Sequence, residues 1–409
     1  MSNSSIQIIS VNQLVPGMFV NKVTNQKGDL RVKSQGLVNK TSIIEALKDK
    51  GILELEVDYS RSNMEMIKQH QGELEVESPD QEEVPVPKKK KVPFGEALSA
   101  SQKLHEQAKK AHDKFLEKIR SGDNADVESI KAVSEEIIDS IFHDADALTC
   151  VSLIKDSPDY ILEHSVNCAI YMTIFAKHMG FDKELTEELC LAGFLMDTGM
   201  ATIPNDLLEK KGKLTKDDRQ LVEMHVDIGA ELIEQSEDVS DNVLEIIRNH
   251  HERLDGSGYP EGKSGDHINI YARMAAIVDS YDALTNDRPY RKGLTPTGAL
   301  KKLLSDSTGK YDQTLIHQFI RSIGVHPVGS LVKLKSGKLG IIVRSNKDEP
   351  LRPEVMTFYS VKSGHHTEIK KIDLRHTDDE IVTSVRPEEF KINLTKFFWE
   401  VFVPSIQNK

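Results

Sequence analysis

Cysteine is scarce in this sequence, with only three residues in a chain of 409. Cys150, Cys168 and Cys190 show no CxxC spacing, which would be typical of a zinc or redox site. Cys168 and Cys190 fall in apolar, helical contexts, so we expect buried thiols. Reduced, buried thiols indicate a reducing compartment.

Three other features are absent. No uninterrupted apolar stretch approaches the ~20 residues that span a bilayer, so we expect no membrane span. The first residues, Met1–Ser10, lack the positive and apolar segments of a secretion signal. The formal net charge of −12 disfavours a broad nucleic-acid-binding face, although a small anion could bind in a locally positive pocket. These absences predict a cytoplasmic protein.

Composition and periodicity predict a multidomain chain. A helix-like run and an alternating strand precede a low-complexity segment at Gly72–Pro93, helical patterns follow it, and strand patterns return after His326. The predicted regions are a small α/β module over 6–60, a linker over 61–94, a helical connector over 95–145, a mainly helical domain over 146–325 and a small β-rich region over 326–409. The connector could pair with a second copy of the chain, as in a homodimer, or pack on the next domain.

Two adjacent histidines, His250 and His251, are the strongest local signal for chemistry. Neighbouring helix positions point about 100° apart, so both rings can face one centre only where a helix ends. The glycine-rich loop that follows, Asp255–Pro260, can bring its backbone near whatever they hold. A lone histidine pair is more often a surface or core feature, so other residues must decide.

Four further residues point to the same centre. They are His164, Asp197, His225 and Asp279, in that order along the chain. Asp279 falls inside an apolar helix predicted over 270–286, where an unpaired carboxylate would be costly, so it must be paired or bound to a cation. Nitrogen and oxygen ligands without cysteine suit iron, manganese, nickel or zinc better than a thiolate zinc site. Each residue alone could be structural, but together they predict a shared divalent-metal centre.

The order and spacing of these residues resemble the HD-GYP family over residues 146–325. The matching positions are His164–Ser165, Asp197, His225, His250–His251, Asp255–Gly256, Gly258–Tyr259–Pro260, Asp279, Asp282 and Arg288–Pro289–Tyr290–Arg291. The opening module, with Leu14–Val20 and Gln35–Gly36, looks like a domain of unknown function found ahead of HD-GYP domains in proteobacteria. The resemblance implies a mainly α-helical fold of the HD superfamily.

The resemblance also implies an activity. The family hydrolyses cyclic di-GMP to linear pGpG and onward to GMP, and some members prefer cyclic GMP-AMP. We therefore expect a divalent metal, with iron or manganese favoured over nickel or zinc. By correspondence, the metal ligands would be His164, Asp197, His225, His250, His251 and Asp279. The residues lining the ligand pocket would be Asp282, Arg288, Arg291, Gly256, Tyr259 and Pro260, with the arginines as bidentate phosphate donors.

Three positions depart from the family pattern. The His-Asp dyad and its following lysine, H-D-x-G-K, read Met196-Asp197-Thr198-Gly199-Met200 here. Methionine sulfur is a weak ligand for hard or borderline ions, so Met196 should not replace imidazole and metal occupancy should be incomplete. Met200 removes the positive charge of the lysine. Tyr160 stands where three-metal members carry a glutamate, so a third metal is not expected.

Three functions compete on these grounds. The chain could be a weakened but active phosphodiesterase, a module that binds cyclic dinucleotide without turnover, or a partner that docks other signalling proteins through its Gly-Tyr-Pro loop. The intact ligand types argue that metal or dinucleotide still matters, while Met196 and Met200 argue against efficient hydrolysis. The sequence therefore favours binding or regulation, with weak hydrolysis second.

Overall fold

The structure, a computed structural model, divides into two compact units, residues 1–90 and 91–409. It describes residues 6–11, 14–26, 36–58, 61–62, 92–123, 126–154, 160–208, 210, 212–236, 239–287, 292–306 and 309–407. None of the helices in these ranges is long and apolar enough to cross a membrane.

The described residues of the first unit form an antiparallel four-stranded sheet and a helix. Its elements are β1 (Ile6–Ser10), β2 (Phe19–Gln26), β3 (Gly36–Leu37), α1 (Thr41–Asp49) and β4 (Ile52–Asp58), and the sheet order is β1-β4-β2-β3. In β4, Leu55 and Val57 are fully buried while Glu54 is exposed, as alternation along a half-buried strand requires. The predicted α/β character is confirmed.

The second unit is mainly helical. Its helices are α2 (Phe94–Ser121), α3 (Glu128–Leu153), α4 (Tyr160–Met179), α5 (Lys183–Leu195), α6 (Asn205–Leu208), α7 (Lys216–Glu223), α8 (His225–Glu234), α9 (Asp241–Asn249), α10 (Ile270–Thr285), α11 (Pro296–Asp306) and α12 (Gln313–Ile323). One apolar core runs through α2–α5 and α8–α12. The predicted helical HD-type fold is confirmed.

Local sequence signals explain several helix ends. Thr215 and Asp218 form the predicted capping box at the start of α7. Asp182 caps α5 and Ser240 caps α9, each accepting a hydrogen bond from the backbone N–H three residues on. These caps set where α5 and α9 begin, and the candidate ligands follow where those two helices end.

A five-stranded antiparallel sheet forms the C-terminal part, as the strand patterns predicted. Its strands are β5 (Leu331–Leu334), β6 (Lys338–Arg344), β7 (Glu354–Ser360), β8 (His365–Asp373) and β9 (Ile381–Ser384), in the order β8-β7-β6-β5-β9.

The chain then turns helical, which the strand patterns did not indicate. The helical segments are α13 (Leu394–Phe397), a π turn (Phe398–Phe402) and α14 (Val403–Gln407). Phe398 and Phe402 lie one helical turn apart, and both are fully buried in a core shared with Leu98 of α2 and Cys150 of α3. Aromatic residues at helical spacing explain the difference.

Candidate metal centre

The candidate ligands come from five separate places in the helical part. His164 lies on α4, Asp197 follows α5, His225 opens α8, His250 and His251 follow α9, and Asp279 lies on α10. His250 and His251 stand at a helix end, as the geometry of adjacent residues requires if both rings are to face one centre.

Two glycines allow close backbone contacts around the ligands. A Cβ atom on Gly199 would collide with the carbonyl oxygen of His225, so only glycine lets the 3-10 turn Thr198–Thr202 approach the start of α8. A Cβ on Gly258 would collide with the backbone that begins at His251. These contacts hold the turn after Asp197 and the loop after His251 against the centre.

Asp197 is the residue on which the two sides of the centre converge. Its Oδ2 lies 3.2 Å from His164 Nε2. Its Oδ1 lies 3.4 Å from His225 Nε2 and 3.8 Å from His250 Nε2. A metal ion could therefore lie on either side of this carboxylate, and both ions would share it.

Asp279 completes the other side. Its Oδ1 lies 3.2 Å from His164 Nε2, and its Oδ2 lies 3.8 Å from His251 Nδ1. The ligand atoms form two sets, and within each set they lie close enough to one another to hold one ion. The four-residue set is Asp197, His225, His250 and His251, and the three-residue set is His164, Asp197 and Asp279. The structure thus brings together all six ligand candidates.

The histidine hydrogen bonds fit a cation at this position. His225 Nδ1 lies 2.6 Å from the Val222 carbonyl oxygen, and His250 Nδ1 lies 2.8 Å from the Ile247 carbonyl oxygen. Because a carbonyl only accepts, both Nδ1 atoms carry hydrogen, and in the neutral rings the Nε2 lone pairs face Asp197. Both Nε2 atoms are buried and make no hydrogen bond within the described structure. A bound cation would accept both Nε2 lone pairs and neutralise the Asp197 carboxylate.

His164 shows the same arrangement through a side chain. Its Nδ1 lies 2.7 Å from Asp282 Oδ2, which as a carboxylate oxygen accepts. The Nε2 atom then faces Asp197 and Asp279. A metal-ligating histidine commonly donates its outer N–H to a carboxylate or a carbonyl, which orients the ring.

Electrostatics prepare several of these groups to bind metal at neutral pH. Burial acts to raise the pKa of Asp197, but His164 and His225 outweigh it and hold the pKa well below its usual range. Burial, together with the neighbouring His250, lowers the pKa of His251 well below its usual range. Burial lowers the pKa of His250 too. Asp197 is therefore ionised, and His250 and His251 are neutral, as metal ligands must be.

Met196 and Met200 stand where the family has the dyad histidine and the lysine. Met196 directly follows the last residue of α5 as its C-cap, and its side chain is completely buried in the apolar core of the helical part. Met200 lies in the 3-10 turn and is half-buried. Neither residue offers nitrogen or charge, so the three-residue set gains no imidazole from this turn.

The residues expected to line the ligand pocket lie in different places. Asp282 is completely buried and accepts hydrogen bonds from His164, Asn167 and Asn286. An enclosed carboxylate with these partners orients His164, and the expectation that Asp282 faces a ligand stays a prediction. Arg288 and Arg291 lie outside the described residues.

The loop expected to contact ligand lies against the histidines. Tyr259 stacks on His251, with ring centroids 4.6 Å apart and planes 25° apart. Gly256 has a positive φ of 75°, and Tyr259–Pro260 is a cis peptide. Tyr259 is partly exposed and Pro260 is exposed, so the loop forms an outer wall of the centre.

A cleft of about 730 Å³ lies between α10, α11 and the C-terminal part. Among the described residues its lining includes Glu163, Asn286, Asp287, Arg386 and Lys391, and none of the six ligand candidates. The cleft adjoins the centre only through neighbours, since Glu163 precedes His164 and Asn286 donates to Asp282. It is distinct from the candidate metal centre.

Sequence reasoning missed residues that support the centre. Asn167 donates to Asp282, and His105 on α2 bonds to Asn167. His112, seven residues after His105, is completely buried. The available signal was two histidines one heptad apart on a helix whose same face is apolar.

Comparisons with known proteins agree with this geometry. A family model described as an HD domain matches residues 149–315, and one described as a domain of unknown function (DUF3391) matches residues 6–130. A cyclic di-GMP phosphodiesterase of Pseudomonas aeruginosa is 31% identical over 87% of this chain and 86% of its own length.

Two further relatives match shorter stretches. The cyclic di-GMP phosphodiesterase PdeB of Borreliella burgdorferi is 28% identical over 51% of this chain and 55% of its own length. A 3'3'-cGAMP-specific phosphodiesterase of Vibrio cholerae is 30% identical over 43% of this chain and 41% of its own length. The chain thus spans about half of each of these two relatives.

Proposed function

Because this chain belongs to the HD-GYP family, we propose that it is a protein of cyclic di-GMP signalling that binds a cyclic dinucleotide with weak or lost hydrolysis. Met196 carries the proposal. It occupies the position of the dyad histidine and is completely buried in apolar core. Its sulfur is soft and neutral, and such a group is a weak ligand for hard or borderline ions. The centre therefore lacks one imidazole.

The remaining residues would hold divalent metal unevenly. His225, His250, His251 and Asp197 form the richer set, and His164, Asp197 and Asp279 form the poorer one. When bound, the ions would stabilise the negative charge that develops on a phosphate ester. We expect one tightly held ion per chain and a second, weakly held one. The nitrogen and oxygen ligands favour iron or manganese, with nickel and zinc as alternatives.

Met200 weakens catalysis independently of metal. It lies in the turn directly after Asp197 and replaces a family lysine with an uncharged side chain. Loss of one preorganised electrostatic contact typically costs ~3–4 kcal/mol, roughly a hundred- to a thousandfold in rate. The losses at Met196 and Met200 need not add, because both serve one centre. Either loss alone is enough to make hydrolysis slow.

The dinucleotide would be held by the segment after α10. By family correspondence Arg288 and Arg291 donate to its phosphates, and Gly256, Tyr259 and Pro260 also line its pocket. We expect Arg288→Ala to abolish cyclic di-GMP binding in calorimetry and to leave the melting temperature nearly unchanged. Lys292→Ala is the matched control, because Lys292 is an exposed cation paired with Asp287 nearby. Unaltered binding by Arg288→Ala would show that the pocket lies elsewhere.

The second candidate function is an active phosphodiesterase that gives pGpG or GMP from cyclic di-GMP or cyclic GMP-AMP. The convergence of His164, His225 and His250 on Asp197 favours it, because these groups remain in place despite Met196. The Pseudomonas aeruginosa relative is named as a cyclic di-GMP phosphodiesterase, and the Vibrio cholerae relative is named as a 3'3'-cGAMP-specific phosphodiesterase.

One experiment separates the two functions. Anaerobically purified protein is loaded with Mn²⁺ or Fe²⁺. Its binding of cyclic di-GMP and of cyclic GMP-AMP is then measured, and the hydrolysis products of each are assayed in parallel. Binding with little or no product supports the proposal. Robust turnover by the natural sequence contradicts it and makes the chain an ordinary phosphodiesterase.

A further inference from the structure

A buried chain of hydrogen bonds joins helix α2 to the ligand candidate His164. His105 Nε2 on α2 lies 3.3 Å from Asn167 Oδ1 on α4. Asn167 Nδ2 donates to Asp282 Oδ1 at 3.0 Å, and Asp282 Oδ2 lies 2.7 Å from His164 Nδ1. All four side chains are buried. Solvent therefore does not replace these bonds.

The direction of each bond follows from donor and acceptor chemistry. The Asn167 amide nitrogen also donates to the Ser152 carbonyl oxygen at 3.3 Å, so both of its hydrogens are used. Its oxygen must then accept from His105, whose Nε2 carries hydrogen. If the amide flipped, its oxygen would face the carboxylate of Asp282. His105 therefore helps to hold Asn167 in the orientation that Asp282 needs.

Asp282 passes this constraint to His164. By accepting from His164 Nδ1, it turns Nε2 toward Asp197 and Asp279, each 3.2 Å away. These three residues are the poorer ligand set, which contains a single imidazole. The affinity of that set for an ion depends most on how His164 is held, since no second imidazole compensates.

A simpler explanation is that His105 bonds to Asn167 only because a buried imidazole needs a partner. His112 argues against this explanation. It lies on the same face of α2, is completely buried against Phe115 and Phe194, and neither ring nitrogen makes a hydrogen bond within the described structure. Helix α2 thus buries one imidazole without any partner, so the bond of His105 is not a general requirement of this interface.

We propose that His105 is a positioning residue for the divalent-metal centre, acting through Asn167 and Asp282 on His164. Helix α2 thereby influences how firmly the His164 side holds its ion. This inference rests on the metal binding proposed above and adds a residue outside 149–315, the range that the HD domain model matches. Since α2 follows the first unit directly in sequence, the N-terminal part is linked covalently to the helix that positions a ligand.

The test compares three variants of the full chain. His105→Phe removes the donor, and His105→Gln keeps an amide nitrogen at the same distance along the side chain. His112→Phe is the matched control, because it makes the same exchange one heptad later on the same face. Mn²⁺ affinity is titrated by electron paramagnetic resonance, and the visible spectrum of the Co²⁺-loaded protein reports the ligand geometry.

We expect His105→Phe to weaken the weaker Mn²⁺ site by about tenfold, the lower end of the effect of losing a direct outer hydrogen-bond partner of a ligand, because His105 acts through Asn167 and Asp282. The tighter site should be nearly unchanged, and the Co²⁺ spectrum should change in intensity. His105→Gln should restore most of the affinity, and His112→Phe should bind as the natural chain does. Asn167→Leu breaks the same chain from α4 and replaces His105→Phe if that variant does not fold.

Two results would overturn the inference while leaving the metal centre intact. One is a His105→Phe protein with natural Mn²⁺ affinities and Co²⁺ spectrum. The other is an equal loss in His112→Phe, which would make packing of α2 the cause. A natural chain that binds no Mn²⁺ at all would instead remove the proposed centre, and the inference with it.

Discussion

The two sides of Asp197 differ in how their imidazoles are held. On one side, His225 and His250 each donate to a backbone carbonyl three residues earlier in the chain. On the other side, His164 is oriented by Asp282, which is 118 positions away. A ligand anchored by backbone three residues earlier in the chain needs little from the rest of the fold. A ligand anchored by a distant side chain depends on tertiary packing, and the set on this side contains a single imidazole.

Replacing the shared carboxylate should have the largest effect. Asp197→Asn keeps the shape but removes the negative charge that both ligand sets use. We expect loss of tight Mn²⁺ binding on both sides, beyond the roughly 100-fold that outer-shell changes reach. Asp217→Asn, an exposed acid on α7, is the control. If one ion were retained at full affinity in Asp197→Asn, Asp197 would not be shared.

Restoring the family residues should give the next largest effect, with the opposite sign. Met196→His with Met200→Lys supplies the missing imidazole and cation. We expect cyclic di-GMP hydrolysis to rise by roughly a hundred- to a thousandfold and the weaker ion to bind more tightly. Met196→Leu with Met200→Leu controls for repacking, because Met196 is buried in the core. A restored variant as slow as the natural chain would show that Met196 and Met200 are not what limits hydrolysis.

Removing one imidazole from each side should separate the two sides. His250→Ala should weaken the tighter ion and spare the weaker one, while His164→Ala should do the reverse. Each loss should exceed tenfold in Mn²⁺ affinity, which is about the least that an outer-shell change costs. Titration of both variants under the conditions used for the natural chain tests this. Equal losses at both ions in either variant would mean that the sides act as one unit.

The smallest expected effect is on the pH dependence of stability, and it concerns His112, a buried histidine that is not a candidate metal ligand. Burial lowers the pKa of His112 to about 4, from 6.5. Above pH 6.5 the His112 ring is neutral in both the folded and the unfolded chain, so it does not reduce the free energy of unfolding. As pH falls from 6.5 toward 4, only the unfolded chain takes up the proton, and the free energy of unfolding decreases. His112→Phe cannot titrate, so its stability relative to the natural chain should rise by roughly 2 kcal/mol between pH 7.5 and pH 5.

Denaturant unfolding of metal-free protein at the two pH values measures this difference. His178→Phe is the control, because His178 is an exposed residue that bonds to Gln318 at the surface. A His112→Phe protein whose relative stability is the same at both pH values would contradict the burial of a neutral ring.

Much of the centre could be predicted because its ligands mark the sequence locally. The adjacent residues His250 and His251 predict a shared centre at a helix end. Asp279, a carboxylate in an apolar helix, predicts a partner or a cation. The heptad spacing of His105 and His112 marks them only as buried histidines, and nothing local distinguishes Asn167. The roles of His105 and Asn167 arise only where α2 and α4 pack together. The spacing of Asp279 and Asp282 places both on one face of α10, but only packing decides that Asp282 meets His164. Residues that act through others are the ones that sequence patterns leave out.

The metal stoichiometry of the natural chain tests the central claim most directly. Metal-free full-length protein is titrated with Mn²⁺, and free and bound ion are measured at each step. The difference between the two sides of Asp197 predicts one tightly bound ion per chain and a second that binds at least about tenfold more weakly. Two ions of equal, tight affinity would contradict this account, because Met196 would then be no obstacle to either site.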